Sequence, residues 1–183
     1  MTNQKKITKK QLLLALLSLL LVSCGANQQK NIVGNDPWKA MQLVISSVKT
    51  PSFNNKNYPI TDFGAKADGG YDNTKAFQDA IQTCSKNGGG IVLVPSGKYF
   101  TGPIQLESNV NLHLEEGAEI LFSTNPKDYP IVHTSFEGTE LMNYSPLIYA
   151  YKKHNVAVTG KGTLNGQATN ENWWPWCGGG SYG

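Results

Sequence analysis

From Ile91 onward the apolar residues fall into short groups of strand length. Ile91-Val-Leu-Val94 is a continuous run, closed by the turn Pro95-Ser96-Gly97 and followed by Tyr99-Phe100, which predicts a strand buried on both faces. Next come Ile104/Leu106, Val110/Leu112/Leu114 and Ala118/Ile120/Phe122, each alternating with polar residues and each about eight positions after its predecessor. Ile148, Val156 and Leu164 resume this step after an insertion from Asn125 to Ser145. Val156/Val158 and Thr163/Leu164 bracket Gly160-Lys-Gly-Thr-Leu-Asn-Gly166, which reads as strand, tight turn, strand. Steps this short leave no room for helices between strands. Antiparallel hairpins and a parallel coil that bends at each turn both fit them. The links Glu107-Ser-Asn109 and Glu115-Glu-Gly117 are not two-residue Asn-Gly tips, and they leave the choice open.

Two helices precede these strands. Asp36-Pro37 supplies an N-cap and a first helical residue, and Trp38, Met41, Val44, Ile45 and Val48 recur with helical period until Thr50-Pro51 ends the run. Residues 52–57 are a polar link, and Tyr58 to Asp62 predicts a first strand. Asp72 or Asn73 caps a second helix whose Ala76, Phe77, Ala80, Ile81 and Cys84 share one face, with Asn87-Gly88 as its stop. A single apolar stripe means that this helix covers something.

Composition adds a class and a compartment. With 183 residues, 39% hydrophobic residues and 19 glycines, the chain is a turn-rich globular β-protein. Its formal charge of +3 depends on Lys5, Lys6, Lys9 and Lys10; without them 12 lysines face 13 acids, a balance of −1, so there is no electrostatic case for nucleic acid. Those lysines precede the apolar run Leu12–Val22, which is shorter than the roughly 20 residues of a membrane-spanning helix and matches an export signal. The run ends in Leu21-Val22-Ser23-Cys24-Gly25, which resembles a bacterial lipobox. That implies a diacylglycerol on Cys24 and a lipid-anchored protein of the bacterial cell envelope. The expected organisation is a signal peptide over 1–23, a tether and amphipathic helix over 24–57, and the main domain over 58–183. Cys84 and Cys177 are free to pair in an exported chain, but Cys84 on an apolar helix face also reads as a small buried hydrophobe. Without C-x-x-C spacing, and with histidines scattered at 113, 133 and 154, no zinc site is expected.

Tyr58-Pro-Ile-Thr-Asp-Phe-Gly-Ala-Lys-Ala-Asp-Gly69, Asp72-Asn-Thr-Lys-Ala-Phe-Gln-Asp-Ala-Ile81 and Gly160-Lys-Gly-Thr-Leu-Asn-Gly166 with Asn172-Trp173-Trp174 together resemble the amino-terminal part of the family 28 glycoside hydrolases, the polygalacturonase-like pectinases. The first element also occurs in lyase-like and tailspike β-helices, whereas the run from Glu116 to Trp174 is more particular to the hydrolases. The resemblance implies an all-β, right-handed parallel β-helix of the pectin-lyase type, with the second helix capping the open end of its first coil. It also implies inverting hydrolysis of α-galacturonosyl bonds, with pectic polysaccharide or oligogalacturonides as partner and no cofactor. Hydrolysis of a glycosidic bond needs one carboxyl to protonate the leaving oxygen and another to activate water. Members of the family carry these groups in Asn-Thr-Asp and Asp-Asp, with Gly-His-Gly and Arg-Ile-Lys further on. None of the four is in this sequence, so the resemblance places the catalytic aspartates beyond residue 183, assigns no catalytic residue to this chain, and predicts that it is inactive alone. Two other classes remain: a pectate-lyase-like enzyme acting by β-elimination with calcium, and a non-catalytic surface module that only holds polysaccharide.

The candidate contacts to sugar are Trp173, Trp174, Glu171 and Lys153. The tryptophans, with Trp176 near them, read either as a lid over the core or as the lining of a cleft. Glu171 lies beside them, and Lys153, in Lys152-Lys153-His154, offers a cation for an anionic sugar from what is otherwise a solvated turn. Glu115-Glu116 reads as a solvated turn, and Asp62, Asp68 and Asp72 as helix-capping carboxylates. The triplets Gly88–Gly90 and Gly178–Gly180 are turns; the first precedes a strand and lacks the lysine and hydroxyl of a phosphate loop.

Overall fold

A computed structural model describes residues 37–172, and the chain divides into two compact units, 1–49 and 50–183. In the first unit Pro37–Ser47 forms helix α1, which starts at the expected proline. None of its side chains is buried, and Trp38, Met41, Val44 and Ile45 are exposed.

In the second unit the elements are β1 (Asn57–Pro59), β2 (Asp68–Asp72), α2 (Thr74–Lys86), β3 (Gly90–Val94), β4 (Gly97–Thr101) and β5 (Ile104–Gln105). They continue with β6 (Val110–Leu114), β7 (Ala118–Phe122), β8 (Ile131–Phe136), β9 (Thr139–Tyr144), β10 (Ile148–Tyr149), β11 (Ala157–Gly160) and β12 (Thr163–Asn165). Among the described residues only β8 and β9 pair antiparallel. All other partners run parallel, in sheets ordered β1-β3-β6-β11, β2-β4-β7-β12 and β10-β5. The chain visits the three sheets in turn and returns to the first, so the fold is a right-handed parallel β-helix.

Alternation fixes which side chains fill the coil. Val92, Val94, Tyr99, Ile104, Val110, Leu112, Leu114, Ile120 and Phe122 point inward and are buried. The strand Ile91–Val94 departs from its expected burial on both faces: Ile91 and Leu93 are half-exposed. The reason is that α2 does not lie over that sheet. It reaches strands β1, β3, β5 and β6, which belong to two different sheets, and therefore lies across the end of the coil. Phe77, Ala80, Ile81 and Cys84 enter the core there, with burial of Phe77 and Ile81 each contributing roughly 1.5–3 kcal/mol. The same burial pushes the Cys84 thiol up to about 11.

The start of this cap differs from the expected one. Strand β1 ends at Pro59 rather than Asp62, and Ile60–Phe63 closes a 3-10 turn on Gly64, whose N–H donates to the Thr61 carbonyl. Proline ends the strand because it brings no N–H to the ladder. Asp72 does cap α2, accepting from the N–H and the hydroxyl of Thr74 at 2.9 and 2.5 Å. Asp68 does not: it turns β2 on itself by accepting from the N–H groups of Gly70 and Tyr71, and the Tyr71 bond leads in holding its carboxyl below the usual range. Nor does the side chain of Asn73 cap the helix. It is fully buried, with its oxygen accepting from Lys66 N–H at 2.7 Å and its NH2 shared among the carbonyls of Lys66, Tyr71 and Phe100 at 2.9 to 3.1 Å.

The corners of the coil explain why the links between strands could not be read as hairpin tips. Asn109 and Asn155 precede β6 and β11 with φ of 65° and 53°, a left-handed conformation that asparagine tolerates better than most residues. They stack, the NH2 of Asn155 donating to the side-chain oxygen of Asn109 at 3.1 Å. Ile91 lies level with Asn111, one short rung on, whereas Asn111 lies level with Ala157, a much longer one. The excess is looped out between β7 and β10 and contains the β8–β9 hairpin.

Candidate functional site

Two long connections leave the carboxyl ends of neighbouring strands in one sheet. One follows β7 and carries the hairpin; the other follows β12 and leads through Gly166 to Asn172. Side chains on loops held above a rigid scaffold are where binding and chemistry concentrate. Between the two connections lies a cavity of about 490 Å³ lined by Ser123, Thr124, Pro126, Tyr129, Asn143, Tyr144, Ser145, Pro146, Leu147, Gly166, Ala168 and Asn172.

Both walls are tied to the coil. On the first, Ser123 N–H donates to the Thr101 carbonyl at 2.8 Å, and the Tyr129 hydroxyl donates back to the Ser123 carbonyl at 2.6 Å. The Ser123 hydroxyl donates to one oxygen of Asp128 at 2.5 Å, while Asn125 donates to the other at 3.1 Å. Burial, and then the charge of Asp128, push the Tyr129 phenol above its ordinary pKa. The hairpin is held at its base by Ser145 N–H on the Pro130 carbonyl and by the Tyr149 hydroxyl on the His133 carbonyl at 2.7 Å. On the second wall Gln167 adopts φ of 52° and donates from its side chain to the Phe122 carbonyl at 2.7 Å. Asn172 then closes the loop, donating to the Gln167 carbonyl and accepting from Thr169 N–H.

Below the cavity, the outer face of the same sheet carries a polar ladder. Lys98 on β4 approaches Glu119 on β7 at 3.3 Å, and Asn165 on β12 donates to Glu119 at 2.9 Å. The Asn165 bond, followed by Lys98, holds the Glu119 carboxyl below its ordinary value of 4.5. With the folded pKa the lower of the two, this contribution to stability is full above pH 4.5 and disappears as pH falls through the depressed value. Glu119→Gln is therefore expected to flatten the loss of stability below pH 4.5, measured as denaturant midpoint against pH; an unchanged slope would remove Glu119 from the account.

The proposed sugar contacts separate in space. Glu171 is exposed in the turn that Thr169 and Asn172 form, where the hydroxyl of Thr169 leads in lowering its pKa, and it adjoins the cavity through Asn172. Lys153 lies at a different corner, between β10 and β11, and its ammonium pairs with Glu107 at 2.5 Å. That pairing leaves it committed within the coil and away from the cavity lining. Glu115 and Glu116 are exposed at a turn, as read. Trp173, Trp174, Trp176 and Cys177 lie outside the described residues, as does Cys24. The insertion and the residues just after it supply what the sequence reading passed over: Tyr129, Asn143, Tyr144 and Leu147 all line the cavity. The clustering of Tyr129, Tyr144, Tyr149 and Tyr151 within and just after a looped-out segment was the available signal.

Comparison with known proteins bears on the same region. The family profile described as "Rhamnogalacturonase A/epimerase, pectate lyase-like" matches residues 58–170. Among solved structures, a hyperthermoactive exopolygalacturonase from Thermotoga maritima superposes with a TM-score of 0.74 at 45% identity, covering 78% of this chain and 32% of that one. A probable polygalacturonase of Vitis vinifera is 32% identical over 171 residues, covering 88% of this chain and 32% of the relative. An exo-poly-alpha-D-galacturonosidase of Dickeya chrysanthemi is 35% identical over 115 residues, covering 58% and 19%. The chain thus spans about a third or less of the length of these relatives.

Proposed function

Because this chain belongs to the rhamnogalacturonase A/epimerase, pectate lyase-like family and is polygalacturonase-like within it, we propose that it is the amino-terminal portion of an exported glycoside hydrolase that cleaves α-galacturonosyl bonds of pectin with inversion. The observation that carries the reading is the 45% identity to the Thermotoga exopolygalacturonase over 78% of the chain, together with loop walls raised on one sheet of the coil. In this reading the described residues build the capped first rungs and one end of the cleft. The two carboxyls of an inverting hydrolase, roughly 6.5–9.5 Å apart with water between them, belong to later rungs of the same sheet. Cys24 carries the lipid anchor, and pectic polysaccharide or its oligogalacturonides are the substrate.

The test is an assay of the full-length protein on polygalacturonate, with the anomeric form of the first product read by NMR. New reducing ends of inverted configuration, formed in the presence of a chelator and without ultraviolet-absorbing unsaturated ends, are expected. Chelator-sensitive, ultraviolet-absorbing product would reverse the assignment to β-elimination. In the same preparation Cys24→Ala should leave turnover unchanged and move the protein out of the membrane fraction; retention there would refute the anchor.

A further inference from the structure

We propose that the cavity between the β7 and β12 connections binds an uncharged pyranosyl unit carrying a methyl group, as in a uronosyl methyl ester or a 6-deoxyhexosyl residue, in preference to a free uronate. The inference rests on the reading of these loops as one end of a pectin cleft, and it assigns that end a charge preference.

The argument begins with the lining. All twelve described residues that line the cavity are formally neutral, and Tyr129, Tyr144, Leu147, Pro126 and Pro146 give it rings and aliphatic surface. Aromatic and aliphatic groups match the C–H faces of a sugar and a methyl substituent; a carboxylate placed among them loses hydration without gaining a partner. The first wall also holds a negative charge. Asp128 sits behind Ser123 at 2.5 Å and adds its charge to burial in raising the Tyr129 phenol, so a uronate in the cavity has a like charge behind that wall. Cations that could offset this are committed elsewhere among the described residues: Lys98 approaches Glu119, and Lys153 pairs with Glu107. Lys127, the one lysine of the insertion, is exposed and does not line the cavity. From Asn172 to Gly183 the sequence contains no charged side chain. Polar selectivity is left to neutral groups. The side-chain oxygen of Asn143 accepts from Tyr144 N–H, which leaves the NH2 of Asn143 to donate to a sugar hydroxyl.

The experiment uses the full-length protein and three oligosaccharides of equal length: unesterified oligogalacturonide, its methyl ester, and a rhamnose-alternating galacturonide. Calorimetric binding and kcat/KM are measured on each, for wild type, Tyr144→Ala, Ala168→Lys and Lys127→Ala. Tyr144 and Ala168 are exposed, so neither substitution threatens the fold. Tyr144→Ala is expected to weaken binding of the methyl ester, of the rhamnose-containing oligomer, or of both by about tenfold, and of the unesterified oligomer by less than about twofold. Whichever methyl-bearing oligomer shows the loss identifies the source of the methyl group. Ala168→Lys should shift preference toward the unesterified oligomer, and Lys127→Ala should change nothing. Equal losses on the unesterified and the methyl-bearing oligomers, or a loss on the unesterified one with Lys127→Ala, would overturn the proposal. Absence of turnover on all three would sink the hydrolase reading instead, while the binding preference would still be measured.

Discussion

Asn73→Ala is expected to destabilise the protein by about 3–5 kcal/mol, more than any surface substitution. The estimate comes from removing a fully buried side chain and its four part-buried hydrogen bonds to the backbone, at about 1–3 kcal/mol for each group that water cannot reach. Asn73 is fully buried and serves the Lys66 N–H and the carbonyls of Lys66, Tyr71 and Phe100. It therefore joins the segment before β2, strand β4 and the start of α2 at one point. In a stacked fold each rung is supported only by its neighbours, so loosening the cap exposes the first rung and lets unfolding propagate from it. Asn73→Asp is a sharper version, since it keeps size and the acceptor but turns two donors into acceptors facing three carbonyls. Both should lower the denaturant midpoint, with Asp at least as harmful as Ala. A change below about 0.5 kcal/mol for Ala, within the range of ordinary surface changes, would show that the cap does not depend on this side chain.

The second large effect is expected at Gly160. Its φ of 104° lies where side chains are strained, and a Cβ there would stand 1.9 Å from the Leu114 carbonyl oxygen on the rung below. That oxygen already accepts from the N–H groups of Lys161 and Gly162, so it cannot retreat without breaking the corner. Strain of about 1–3 kcal/mol from the backbone and about 1–3 kcal/mol from overpacking place Gly160→Ala at about 2–6 kcal/mol. Lys161→Ala is the control. Lys161 approaches Glu116 at 3.4 Å with both side chains about 80% exposed, and such pairs contribute little. Midpoints that fall equally for the two variants would contradict the close-approach account.

How much of this was visible in the sequence depends on whether the signal was periodic or particular. The stripe Ala76, Phe77, Ala80, Ile81 and Cys84 gave the capping helix because helical spacing survives any context. The alternation at Val110/Leu112/Leu114 and Ala118/Ile120/Phe122 gave strands and their inward faces, and these are the residues buried in the coil. Direction was not in that pattern, since alternation is the same for parallel and antiparallel neighbours. It lay in Asn109 and Asn155, whose positive φ and mutual hydrogen bond mark equivalent corners of successive rungs. Asn73 was legible only as a cap candidate, because its true partners come from segments up to 27 positions away. The cavity was hidden for a related reason: its walls come from Ser123–Leu147 and Gly166–Asn172, which meet only after β12 has settled beside β7.

The long rung has a further meaning for how such a coil changes over time. Ser123 is bonded to Thr101 and Leu147 to Ile104, so the segment between them departs from and rejoins a frame that its own length does not disturb. Strands β6 and β11 keep in step across it as β3 and β6 do without it. The length of the hairpin is thereby uncoupled from the register of the strands beneath it. The wall that this segment raises can then vary while the register of the coil beneath it stays as it is.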